Sequence, residues 1–290
     1  MNVDDAAYAA QTLRAAAAAH RAGPGRQGSR VLLPEVGRVV MTGDLHDHRD
    51  NLARIVKLAD LDASPRNLVV LHEVVHASER EDESPDAPDL SIRTLVEVAS
   101  LKVRYPGQVF SLLSNHELAQ VRGEAILKGG TSVNRRFDAG LEAIYGDAAA
   151  EVADAMHEYV MSLPLAIQCP YGIMFTHSLP SPRQLDAFDP AVLDRMPSEA
   201  DLQRDGSAYN LVWGRRHTQA VADELGMAWD VDLFVMGHQP AEMGHYVEAD
   251  AMIVLASDHS HGAALPIDLT RPYRLFDLVA QIKPLNAVRV

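Results

Sequence analysis

Five short blocks of this sequence carry the residue types that bind divalent metal ions or move protons. In chain order they are Asp44-Leu45-His46, Glu73 with His76, Asn115-His116, a lone His177, and His238. Carboxylate oxygens, an amide oxygen and imidazole nitrogens form a donor set suited to manganese, iron or zinc, with no thiolate among them. Eight such residues exceed the four donors of one tetrahedral zinc site. Two ions ~3.5–4 Å apart, sharing a carboxylate, fit the count better.

The elements that must position these blocks are legible as apolar runs. Arg38 to Thr42, Asn67 to Leu71, Val109 to Leu113, Ile173 to Thr176 and Leu233 to Met236 each read as a buried strand, and each ends at one of the five blocks. Helical periodicity follows several of them: from Asp50, over Leu90 to Tyr105, over Leu118 to Leu127, over Arg135 to Met161 with a break at Gly146, and after Arg216 up to Gly226. Tyr246 to Ala256 and Tyr273 to Leu278 read as further strands. Strand and helix alternate, so the chain is α/β, and donors at strand ends stand where open α/β sheets gather ligands. At the start, Val3 to Arg21 reads as an alanine-rich helix, followed by a Gly/Pro hinge from Gly23 to Ser29. Glu79 to Asp89 is acidic and without apolar periodicity, which reads as an exposed loop.

Composition narrows the function classes. The 290 residues are 47% hydrophobic and 23% charged, an ordinary globular balance. A net charge of −14 argues against a nonspecific nucleic-acid or anionic-membrane binder, since phosphates are repelled by such a surface. Cys169 is the single cysteine, so no intrachain disulfide can form. No run approaches a membrane span and the start lacks a signal-peptide pattern, so a cytoplasmic location is the default expectation.

Taken together, the blocks resemble those of the calcineurin-like metallophosphoesterases, and most closely their phosphoprotein-phosphatase-like branch. Gly43-Asp44-Leu45-His46, His72-Glu73-Val74-Val75-His76-Ala77, Ser114-Asn115-His116-Glu117, Thr176-His177 and Gly237-His238 follow that family's order and spacing from about residue 36 to 260. The resemblance implies two packed mixed β-sheets flanked by helices, with 1–30 as N-terminal helix and hinge and 31–290 as the catalytic domain. It assigns Asp44 and His46 to a first divalent ion (Mn²⁺, Fe²⁺/Fe³⁺ or Zn²⁺), Glu73 as the bridge, and Asn115, His177 and His238 to a second. It implies hydrolysis of a phosphomonoester, on a phosphoprotein or a small molecule, by a metal-bridging hydroxide, with His116 as general acid. The second block departs from the family. Glu73 stands for an Asp, His76 for the Asp that orients the catalytic histidine, and Ala77 for an arginine that grips phosphate. Arg215, in Trp213-Gly214-Arg215-Arg216, is the first candidate to replace that arginine, ahead of Arg49, Arg122 and Arg135; Asn115 is a further candidate for substrate contact.

Rival readings remain at this point. A dinucleoside-polyphosphate hydrolase, or a catalytically weakened metal-binding relative, would share the blocks. His72-Glu73-Val74-Val75-His76 also matches the zinc-protease pattern His-Glu-x-x-His, which requires a helix so that residues four apart share a face. Asp47, His48, Asp258, His259 and His261 lie near the blocks without a clear role, and His217 and His245 read as surface histidines.

Overall fold

The computed structural model describes residues 2–78, 84, 87–128 and 130–290. Residues 79–83, 85 and 86 of the acidic stretch, expected as an exposed loop, lie outside them. Elements are numbered in chain order. The apolar runs become two large sheets. In one, β1 (Arg26–Gln27), β2 (Arg30–Leu32), β8 (Ala166–Cys169), β9 (Ile173–Thr176), β10 (Leu233–Met236), β12 (Met252–Leu255) and β11 (His245–Glu248) lie side by side in that order. In the other the order is β14 (Lys283–Pro284), β13 (Ala263–Asp268), β3 (Arg38–Asp44), β4 (Asn67–His72) and β5 (Val109–Ser111). A small hairpin, β6 (Leu127–Lys128) with β7 (Thr131–Ser132), stands apart.

Period-two alternation explains how the sheets stack. Val39, Met41, Leu68, Val70, Phe175, Val235 and Ile253 meet between the sheets, while their neighbours Val40, Val69, Leu71, Met174, Phe234 and Met252 face outward under helices. Helix α1 (Ala6–Arg21), capped by Asp5, buries Ala9, Leu13, Ala16 and Ala17 against α3 (Ile92–Arg104) and α6 (Ala149–Val160). Around these lie α2 (Arg49–Ala59), α4 (Asn115–Arg122), α5 (Val133–Tyr145), α7 (Glu199–Leu202), α8 (Ser207–Trp213), α9 (Gln219–Trp229) and α10 (Leu275–Val279).

The strands β3, β4 and β5 are mutually parallel, as are β9, β10 and β12, so their C-terminal ends gather on one rim. The two sheets touch there. Asp44 forms a parallel bridge to Ala256, and Ser257 N–H donates to the Asp44 carbonyl at 3.0 Å. Gly43 permits this approach, because a Cβ there would stand 2.2 Å from the Leu255 carbonyl oxygen.

Several elements differ from expectation. Tyr246 to Ala256 is two antiparallel strands joined through a turn at Ala249, whose φ is +54°. Tyr273 to Leu278 is no strand; its second half belongs to α10, where Arg274 N–H donates to Asp277 at 3.3 Å. Helix α4 begins three residues earlier than its apolar periodicity suggests, because Ser114 caps it. Gly226 does not stop α9, which runs on to Asp230 in the left-handed conformation.

Candidate metal centre

Each block enters the site by a local device. β3 delivers Asp44 at its last residue, and the chain turns with His46 and Asp47 at φ +41° and +60°. β4 delivers His72, after which Glu73 and His76 both adopt positive φ, +49° and +61°. His238 follows β10 at φ +66°. Non-glycine residues held in the left-handed region cost free energy and concentrate where geometry serves function. The path of the second block is therefore a strand end and a turn. His72 and His76 do not share a helical face, which removes the zinc-protease reading.

Asn115 and His116 occupy the first turn of α4, and Glu117 pins that turn to the second block. Its carboxylate accepts from Val74 N–H at 2.6 Å and Val75 N–H at 3.3 Å, and from the Ser114 hydroxyl. The Ser-x-x-Glu spacing is a recognisable capping signal that could have placed this helix start from sequence.

All six expected ligand residues meet. Glu73 stands at the centre: Oε1 is 3.4 Å from His46 Nε2 and 3.8 Å from His116 Nε2, and Oε2 is 3.2 Å from His177 Nε2. Asn115 Oδ1 lies 2.7 Å from His177 Nε2 and 2.9 Å from His238 Nδ1. Asp44 Oδ1 is 3.8 Å from His177 Nδ1, and both Asp44 oxygens accept from His238 N–H at 2.9 Å. Gly237 makes room for that contact, since a Cβ would fall 2.2 Å from Asp44 Oδ1. Three donor groups close enough to hold an ion result: His46, Glu73 and His116; Glu73, His177 and His238; Asp44, His72 and His177.

Burial drives the electrostatics. Asp44 is pushed up to about 7 by desolvation, against the pull of the His238 N–H. Glu73 rises well above the usual carboxyl range through burial and the neighbouring charges of Asp44 and Glu117. Burial lowers His46, His116, His177 and His238, favouring neutral imidazoles. His46 Nδ1 is 3.0 Å from the Val75 carbonyl, which can only accept, so its Nε2 lone pair faces Glu73 Oε1. Glu73 Oε2 and His238 Nε2 are buried without any hydrogen-bond partner. Lone pairs facing carboxylate oxygens, with buried polar atoms unsatisfied, fit a bound cation.

His76 meets His116, their Nδ1 atoms 2.8 Å apart. Arg215 lines a cavity of about 260 Å³ over the cluster with Asp44, His46, Glu73, His116 and His238. Of the other arginine candidates, Arg122 pairs with Glu199 and Arg135 lines a separate pocket, while Arg49, paired with Glu97, lines an adjoining cavity with His46, Asp258 and His259. Asp258 and His259 line the cavity, and Lys128 does too. Lys128 arrives on the β6–β7 hairpin and carries no motif, so nothing in the sequence signals it. His217 is buried, contrary to its surface reading, with Nδ1 at 2.9 Å from Glu248 Oε2 and Nε2 at 2.9 Å from the Leu179 carbonyl.

Known structures share this architecture. A protein serine/threonine phosphatase from Saccharomyces cerevisiae, described as similar to human phosphatase PP5, superposes with a TM-score of 0.65 at 16% identity, over 91% of this chain and 83% of that one. The cold-active protein-tyrosine phosphatase of a psychrophilic Shewanella gives 0.58 at 16% identity, over 90% and 83%. The fold is shared with these phosphatases. No protein-family model matches the chain, and no curated protein does. On this fold the cluster of candidate metal ligands sits at the rim where the two sheets meet. Among the described residues no helix is long and apolar enough to cross a membrane.

Proposed function

We propose that this chain is a metal-dependent phosphoesterase that holds two divalent ions in the cluster and hydrolyses a phosphomonoester, on a phosphoprotein or a small molecule. The observation that carries this reading is the Glu73 carboxylate, buried between His46 and His116 on one side and His177 on the other, with Oε2 unsatisfied. Asp44 and His46 would hold the first ion and Asn115, His177 and His238 the second, with Glu73 shared. The oxygen and nitrogen donors suit Mn²⁺, Fe²⁺/Fe³⁺ or Zn²⁺. When bound, the ions would bring a water's pKa toward neutrality and draw charge from the phosphoryl oxygens.

The chain's own residues would do the rest. Arg215 and Lys128, the cations lining the cavity, would grip the phosphate that Ala77 cannot. His116 would take up a proton at Nε2 as the water attacks and return it to the leaving alkoxide. His76 would hold the His116 ring, and the walls from Gln239 to Ala241 would shape the leaving-group side.

The test is p-nitrophenyl phosphate hydrolysis by metal-stripped protein reloaded with Mn²⁺, beside His116→Ala. Metal-dependent turnover lost in that variant supports the proposal. Absence of metal binding sinks it, and two bound ions without turnover of any phosphoester would favour a binding relative.

A further inference from the structure

Two histidines of the second block, His72 and His76, stand in the same relation to two different site histidines. His72 Nε2 lies 3.0 Å from the Thr42 carbonyl oxygen, and its Nδ1 lies 3.1 Å from Nδ1 of His177. His76 Nε2 lies 2.8 Å from Gln120 Oε1, and its Nδ1 lies 2.8 Å from Nδ1 of His116. The Thr42 oxygen can only accept, so His72 carries its hydrogen on Nε2. Gln120 is oriented by Asp138, to whose Oδ1 its amide nitrogen donates at 2.8 Å, so Gln120 Oε1 is left to accept from His76 Nε2.

Each Nδ1–Nδ1 contact holds one hydrogen between two nitrogens, and a buried neutral imidazole that gives its single N–H to an oxygen from Nε2 has only a lone pair left at Nδ1. Their Nδ1 atoms are therefore bare, and the Nδ1 atoms facing them must be the donors. We propose that His72 and His76 are positioning residues that lock His177 and His116 in the Nδ1–H tautomer, turning the Nε2 lone pair of each toward the centre of the cluster. For His177 this rests on the reading of the cluster as a metal site. Its bare Nε2 then stands 2.7 Å from Asn115 Oδ1 and 3.2 Å from Glu73 Oε2, acceptors facing one another as they do around a shared cation. Metal-binding histidines commonly give their other N–H to a carboxylate or carbonyl. Here a neutral imidazole, itself anchored to a fixed oxygen, takes that place for His177, and a second holds the proton carrier His116 in the same way.

The test is ¹⁵N NMR of histidine-labelled, Zn²⁺-loaded full-length protein at pH 7.5, where the ring nitrogen shifts report the tautomer. The expected spectrum has His177 and His116 as Nδ1–H and His72 and His76 as Nε2–H. An Nε2–H tautomer on either site histidine overturns the proposal for that relay. Variants supply a second arm. His72→Gln and His76→Gln keep a donor at one end and an acceptor at the other, whereas His72→Leu and His76→Leu keep only bulk. His72→Leu should weaken Zn²⁺ affinity about 10–100-fold in calorimetry, with His72→Gln close to wild type. His76→Leu should release His116 into a tautomer mixture that His76→Gln restores. Equal Zn²⁺ affinity in His72→Leu and wild type, or one zinc equivalent lost in both His72 variants, would overturn the relay; the second result would make His72 a ligand. Should the leucine variants unfold, the wild-type spectrum still decides. Failure of the phosphoesterase reading would show differently, as absent turnover with tautomers and zinc binding intact.

Discussion

The backbone N–H of His238 donates to both carboxylate oxygens of Asp44, at 2.9 Å each. The two residues belong to different sheets, and only glycine at 237 lets them come so close. Gly237→Ala would place a Cβ 2.2 Å from Asp44 Oδ1 and 2.8 Å from His72 Cε1. A close-packed, wholly buried site cannot absorb that without moving the carboxylate. The expected outcome is a fall in Zn²⁺ affinity on the order of 100-fold, as for loss of a group that fixes a ligand. Calorimetric titration would check it, and unchanged affinity would mean Asp44 is not held by this contact.

Glu117 is expected to matter for stability more than for chemistry. Its side chain satisfies the Val74 and Val75 N–H groups and the Ser114 hydroxyl in a fully buried place. Glu117→Ala leaves those donors unpaired and should cost about 2–3 kcal/mol in urea denaturation.

Metal removal should loosen the whole domain. Ions bound only by the folded state stabilise it by about 2.7 kcal/mol per site at a hundredfold excess over Kd. A chelator should therefore lower the thermal midpoint, and Zn²⁺ or Mn²⁺ should restore it. A midpoint indifferent to both would contradict a metal site in this cluster.

Arg215→Ala should raise KM for a phosphomonoester about tenfold, with a smaller loss in kcat, if the guanidinium contributes mainly to binding. Steady-state kinetics on the Mn²⁺-loaded protein separates the two. A fall in kcat alone would assign Arg215 to the transition state.

Lys102 gives a pH dependence remote from the metal cluster. Its ammonium donates to the Pro106 and Val109 carbonyls, and burial, with the charge of Arg26, lowers it to about 8. From about pH 8 to the free-lysine value of 10.5 the unfolded chain holds a proton that the folded chain has released, so this residue's contribution to stability rises with pH. Lys102→Met removes the titration. Relative to that variant, the wild type should gain about 2 kcal/mol between pH 7.5 and pH 10, at 1.36 kcal/mol per pKa unit.

Sequence pattern was informative where it coincided with burial on both faces of a strand. Ile173–Thr176 is apolar up to its last residue and Leu233–Met236 is apolar throughout, and His177 and Gly237 follow them, so their bounds could be read directly. β13 escaped notice because Pro266 interrupts it, although Pro266 sits opposite Val40 in the ladder. The cluster of candidate ligands was legible because its residues stand at or just past strand ends. Lys128 and Gln120 were not, since their roles depend on which side chains the fold brings near them. His217 was misread because nothing local announces a histidine buried against Glu248.

The seam between the sheets has a mechanical meaning. Asp44, His46, Glu73 and Asn115 travel with the five-stranded layer, whereas His177 and His238 travel with the seven-stranded one. Any sliding of one layer past the other would pull the donor set apart. Cations seated there would act as a rivet through both layers, so the first rupture to expose the interior should also be the event that sheds them.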